Sequence, residues 1–151
     1  MKPLYRYAII RFCPFAETEE FANIGVIAVD LSHGQIDYRI ASRHFPRVAG
    51  FFGARGYAAY EGAIDLLTLE LGRISEYMLN FHAGDGDRAF QAMIARREST
   101  IRFSEPRVAQ ADVPLLLFIE QLYARFVRTD PDIETPGPSP AHIYPYRTPT
   151  K

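Results

Sequence analysis

A chain of 151 residues with 48% hydrophobic and 23% charged residues has the make-up of an ordinary globular protein, long enough to bury a core without covalent staples. Its net charge of −1 excludes a long-range field that would steer it towards nucleic acid or an anionic membrane. The lone cysteine, Cys13, excludes an intramolecular disulfide and a cysteine-based zinc site.

Arg6 and Arg11 keep any signal-peptide apolar region from developing, and no apolar run approaches the about 20 residues that cross a bilayer. A cytoplasmic protein with no membrane segment is the expectation. Lys2 and Lys151 are the only lysines among the 17 basic residues. GC-rich coding explains that bias more simply than a surface chosen for bidentate anion recognition.

The first third reads as sheet. Leu4 to Cys13 is rich in β-branched and aromatic residues and stops at Pro14, which has no N–H for a strand ladder. After the polar turn Glu17 to Glu20 comes Phe21 to Leu31, where Ile24-Gly25-Val26-Ile27-Ala28-Val29 is the continuous apolar run of a strand buried on both faces. Ser32-His33-Gly34 makes a short turn. Gln35 to Ala41 then alternates, with Ile36, Tyr38 and Ile40 inward and Asp37 and Arg39 outward. Short connections make these three runs an antiparallel meander.

The middle reads as helix. Tyr60, Ile64, Leu67, Leu71, Ile74, Met78 and Phe81 recur at steps of three and four and form one apolar stripe, expected to lie on the sheet. Gly84-Asp85-Gly86-Asp87 is expected to break this helix and cap another over Arg88 to Arg97. Thr100 to Phe103 is a fourth strand. Asp112 is expected to cap a last helix whose Leu115, Phe118, Leu122 and Phe126 share a face. From residue 129 onward six prolines and almost no aliphatic residues predict an extended tail that buries little. The fold expected is therefore α+β: an antiparallel meander sheet of three to four strands packed against helices over residues 1–128, with a Pro-rich tail over 129–151.

The most informative polar stretch is Arg11 followed by Glu20-Phe21-Ala22-Asn23-Ile24-Gly25-Val26. Glycine inside a strand marks a bulge or the close approach of another backbone, and Asn23 tolerates unusual dihedrals. Arg11 shares a strand face with Tyr7 and Ile9, and Glu20 is its nearest candidate counter-charge. Arg11, Glu20, Asn23, Gly25 and Arg43 are the candidate binding residues, read either as a polar lock on a hairpin or as a recognition pocket. No catalytic residue, metal ligand or cofactor site is assigned. His33, His44, His82 and His142 show no ligand spacing, and no phosphate-cradling or dinucleotide motif occurs.

Tyr7-Ala8-Ile9-Ile10-Arg11-Phe12, the string Glu20 to Val26, and Ile101-Arg102-Phe103-Ser104-Glu105-Pro106-Arg107 together resemble the bacterial domain-of-unknown-function family 3037, over about residues 5 to 128. The resemblance implies a small intracellular domain without established activity. It also implies an accessory role beside a HipA-like kinase-fold protein in a toxin–antitoxin-type system. A protein-interaction module with a protein partner is the leading expectation. Two rivals stand behind it: an enzyme acting on nucleic acid or nucleotides with Glu20 as base and Arg11 and Arg43 gripping phosphate, and a nucleic-acid-binding module using Arg88 to Arg107. An ordinary salt-bridged surface outranks the second. The oligomeric state is not legible.

Overall fold

The computed structural model describes residues 2–78, 83–95 and 100–128. Its elements run β1 (Leu4–Phe12), β2 (Ala22–Asp30), β3 (Ile36–Ile40), α1 (Pro46–Met78), α2 (Ala83–Ala95), β4 (Ile101–Phe103), β5 (Arg107–Gln110) and α3 (Leu115–Phe126). The tail expected over 129–151 lies outside the described residues.

The expected meander forms: β1 pairs antiparallel with β2, and β2 with β3. Among the described residues the sheet has five strands rather than three or four, because two short strands share the far side of β1. β4 pairs with its C-terminal half and β5 with its N-terminal half. Pro106 sits in the gap between them and has no N–H to continue a ladder. Ser104 bridges part of that gap: its N–H donates to the Ile9 carbonyl at 2.9 Å, and its hydroxyl accepts from the Ile9 N–H at 2.8 Å.

Helices cover both faces of the sheet. On one face Tyr60, Ile64, Leu67 and Leu71 of α1, with Phe90 and Met93 of α2, pack on Ala8, Ile10, Phe12, Ile24, Ile27 and Val29. On the other, Phe118, Ile119, Leu122 and Tyr123 of α3 pack on Tyr5, Ile9, Val26 and Ala28. Residues of both parities along β2 are thus buried, which is why that strand reads as an unbroken apolar run. The α1 stripe lies on the sheet as expected as far as it is described; Met78 and Phe81, its far end, lie outside the described side chains.

Three local expectations need correcting. The sequence Gly84-Asp85-Gly86-Asp87 does not precede a helix but forms the opening of α2. Its Gly86 is required by proximity: a Cβ there would sit 1.9 Å from the Gly34 carbonyl oxygen in the β2–β3 turn. Asp112 does not cap α3, whose N-cap is Pro114 without a side-chain bond; Asp112 instead lies 3.5 Å from the Lys2 ammonium. Arg39, outward by parity, meets α3 rather than open water, bonded to Glu120 with its guanidinium over the Tyr123 ring. α1 also starts earlier than its stripe, and Gly53 breaks its backbone with φ 76°. Among the described residues no helix is long and apolar enough to cross a membrane.

Candidate functional site

The register of β1 against β2 slips at one place. Ile10 faces Gly25, but the next β1 residue, Arg11, faces Asn23, so Ile24 is the extra residue of a β-bulge. The slip reverses the alternation of side chains. Ile24 joins the core beneath α1 and α2, and Asn23 moves to the α3 side. Glycine at 25 lets β3 come close: a Cβ there would lie 2.7 Å from Ile40 Cγ2 and 2.8 Å from the Arg39 carbonyl oxygen.

On the α3 side, Asn23 Nδ2 donates to the Phe126 carbonyl oxygen at 3.1 Å. Arg47, from the first turn of α1, donates to the next carbonyl, that of Val127. Two long-range side chains thus take up acceptors at the C-terminal end of α3, where helix carbonyls lack internal partners. A carbonyl only accepts, so the Asn23 amide must present its nitrogen to Phe126 and its oxygen elsewhere. That oxygen, Oδ1, is sealed from solvent and has no hydrogen-bond partner.

Arg11 lies on the same face. Its Nε is likewise sealed and unpartnered. Its guanidinium carbon is 4.3 Å from the centroid of the Phe21 ring, and that ring is 44% exposed, a loose cover over the charge. Strand pairing puts Arg102 directly opposite Arg11, and Arg107 opposite Tyr7, which lies on the Arg11 face. Between these two positions lie Ser104 and Glu105.

On this face lies a cleft of about 240 Å³. Its walls include Arg11, Asn23 and Arg107 with Ser104 and Glu105, and its apolar side is Tyr7, Ile9 and Phe126. Two arginines and one carboxylate give this lining a net positive charge. A larger groove of about 590 Å³ between β3 and α1, bordered by Tyr38, Leu69 and Gly72, is shallow and open.

The sequence candidates divide as follows. Arg11 and Asn23 line the cleft, and Gly25 allows the bulge that turns Asn23 towards it. Glu20 is exposed in the preceding turn, its N–H on Thr18 Oγ1, and forms no ion pair with Arg11. Arg43 stands on the α1 side, where its guanidinium meets Asp65 at 3.0 and 3.2 Å and Glu61 at 3.5 Å. The hydrogen bond to Asp65, reinforced by its charge, raises the Arg43 pKa, and the same bond holds the Asp65 carboxyl below its ordinary value.

Sequence reasoning missed Ser104, Glu105 and Arg107 as members of the site. The signal available was Pro106, a ladder breaker in the middle of an edge strand. Of the basic stretch Arg88 to Arg107, Arg88 pairs with Asp85 on α2 and Arg102 and Arg107 belong to the edge strands, while Arg96 and Arg97 lie outside the described residues.

Other polar groups have local work. His33 Nδ1 lies 3.0 Å from Asp30 Oδ2, and Asp30 Oδ1 accepts from the Ser32 and His33 N–H groups, closing the β2–β3 turn. His44 bonds the Tyr57 hydroxyl, while His82 and His142 lie outside the described residues. Among the described residues no three His, Cys, Asp or Glu side chains cluster as metal ligands do. Cys13 is buried.

Fold and site together define an α+β protein with a bulged antiparallel sheet covered on both faces and a small cationic cleft at one end of its central strands. The sequence model of the family described as "Protein of unknown function (DUF3037)" matches residues 7–127, and the chain belongs to that family. No curated protein and no solved structure matches it.

Proposed function

We propose that this chain is a bacterial, cytoplasmic accessory module that docks a protein partner at the cleft lined by Arg11 and Asn23. The observation that carries this reading is the Phe21 ring beside the cleft, 44% exposed and 4.3 Å from the Arg11 guanidinium carbon. The exposed Phe21 ring on the guanidinium supplies an aromatic–arginine contact of the kind that anchors protein interfaces.

The reading with Glu20 as a base beside Arg11 and Arg43 ranks behind it, because those three groups do not meet in one cleft. The partner to try first is the HipA-like kinase-fold protein that the family resemblance suggests. Co-expression of the two chains followed by size-exclusion chromatography is the test. A shared peak is expected, and Arg11→Gln and Phe21→Ala should each dissolve it. Separate elution of the wild-type pair removes that partner. A shared peak indifferent to both substitutions removes the cleft as the docking point.

A further inference from the structure

A helix that covers one face of a sheet is expected to turn polar side chains to water on its other side. Past the break at Gly53, α1 does not. Opposite its buried stripe of Tyr60, Ile64, Leu67 and Leu71, helical spacing lines up Ala58, Ala59, Gly62, Leu66 and Leu69. All five are exposed, Leu66 to 71% and Leu69 to 61%. Apolar residues on both sides are the mark of a helix that is covered on both sides.

We propose that a second copy of this chain covers the outer band, its α1 running antiparallel about a two-fold axis between Asp65 and Leu66. Because α1 and α3 lie on opposite faces of the sheet, such a contact leaves the Arg11 cleft open.

The order of sizes and charges along the band points to that occupant. Its N-terminal half, Ala58, Ala59 and Gly62, carries nothing larger than a methyl group, whereas its C-terminal half carries the two leucines. Reversal about the axis sets Leu69 of one copy on Gly62 of the other and gathers both Leu66 side chains beside the axis. Arg55 and Glu76 lie at equal sequence distance from that axis, so each meets the other across the contact, twice over. Both are exposed, and neither has an ion pair among the described residues; the Arg55 guanidinium carbon is 5.8 Å from the Phe15 ring. Running parallel, the copies would set arginine on arginine and glutamate on glutamate.

The flanks agree. Asp65, beside the axis, brings its own counter-charge: Arg43 meets it at 3.0 and 3.2 Å, so the copies face each other there as neutral pairs. The groove of about 590 Å³ between β3 and α1 runs along the C-terminal half of the band, bordered by Leu69, Gly72 and Glu76. The small N-terminal half of the reversed helix lies over that groove.

Sedimentation velocity of the full chain, from about 1 µM to about 1 mM at low salt, is the test. A monomer–dimer equilibrium is expected. Leu69→Glu should weaken it at least about a hundredfold, because the substitution enters the contact twice. Arg55→Glu and Glu76→Arg should each weaken it about tenfold, and the double variant should regain the wild-type dimer, since both pairs return with their signs exchanged. All these positions are exposed, and circular dichroism reports directly whether each variant is folded. A chain that stays monomeric throughout, a dimer indifferent to Leu69→Glu, or a double variant no better than the single ones overturns the proposal. A dimer that Phe21→Ala disrupts and Leu69→Glu does not would lie at the cleft instead.

Discussion

Asn23 holds Phe126 across 103 positions of sequence, its side-chain amide 3.1 Å from the backbone carbonyl near the end of α3. The bond exists because one extra residue, Ile24, turns Asn23 to the α3 side of the sheet. Replacing Asn23 with Ala removes the donor and leaves that carbonyl to find water at a part-buried site. The expected cost is about 1–2 kcal/mol, read as a lower urea midpoint at unchanged slope. Hydrogen exchange should quicken at the C-terminal turn of α3 before it does in β1 or β2.

Gly25→Ala tests the bulge from its β3 side. The new methyl would fall 2.7 Å from Ile40 Cγ2 and 2.8 Å from the Arg39 carbonyl oxygen. The side-chain methyl can rotate away, but the carbonyl belongs to the β2–β3 ladder and cannot move without breaking it. A loss of about 1–3 kcal/mol is expected, the range for overpacking a well-filled interior. Chemical-shift changes should concentrate in β3. A variant as stable as wild type would mean that β3 yields easily and that the glycine serves some other end.

Much of this sheet was legible because its faces impose simple patterns. Ile24 to Val29 reads as doubly buried since α1 and α3 cover opposite faces of β2, and Ile36-Tyr38-Ile40 reads as alternating. The glycine at 25 announced a bulge or the close approach of another backbone, and both occur there. What the bulge would do to Asn23 was not legible, because the consequence depends on where α3 ends. The edge residues Ser104 to Arg107 join Arg11 only through pairing across some 95 positions, which no local pattern records. Two failures share a cause as well. Gly86 looked like a helix breaker, yet it answers to the Gly34 turn. Asp112 looked like a cap, yet Pro114, with its fixed φ, took that place. Local propensity named the residue type correctly in each instance, and a distant contact decided its use.

Two helical glycines should respond to alanine with opposite signs. In α2, a Cβ on Gly86 would meet the Gly34 carbonyl at 1.9 Å, an approach no small adjustment relieves. In α1, Gly62 is exposed with nothing within 4 Å of the same added atom. Gly62→Ala should therefore stabilise by up to about 1 kcal/mol through helix propensity alone. Gly86→Ala should destabilise despite the same propensity gain, displacing α2 from the β2–β3 turn. Paired urea unfolding curves decide it, and a stabilising Gly86→Ala would mean that α2 does not pack against this turn.

Tyr60 and Tyr123 give the stability a defined alkaline limit. Both rings are buried, and the Tyr60 hydroxyl donates to the Ser42 carbonyl at 2.7 Å. Burial raises both phenols above the ordinary value of 10.0; neighbouring tyrosines add to this at Tyr60, and Arg39 and Arg128 partly oppose it at Tyr123. The unfolded chain therefore releases these protons near pH 10, while the folded chain still holds them. Above that point the native state binds more protons than the unfolded one, so stability falls as pH rises, until the folded pKa values are also passed. Below the unfolded value the two states hold the same protons on these groups and no slope arises from them. Tyr60→Phe should be less stable at neutral pH by about 1 kcal/mol, for the lost hydrogen bond. Its urea midpoint should nevertheless decline less steeply than that of wild type between about pH 9 and about pH 11. Parallel declines in the two proteins would show that the Tyr60 phenol ionises in the folded chain as readily as in the unfolded one.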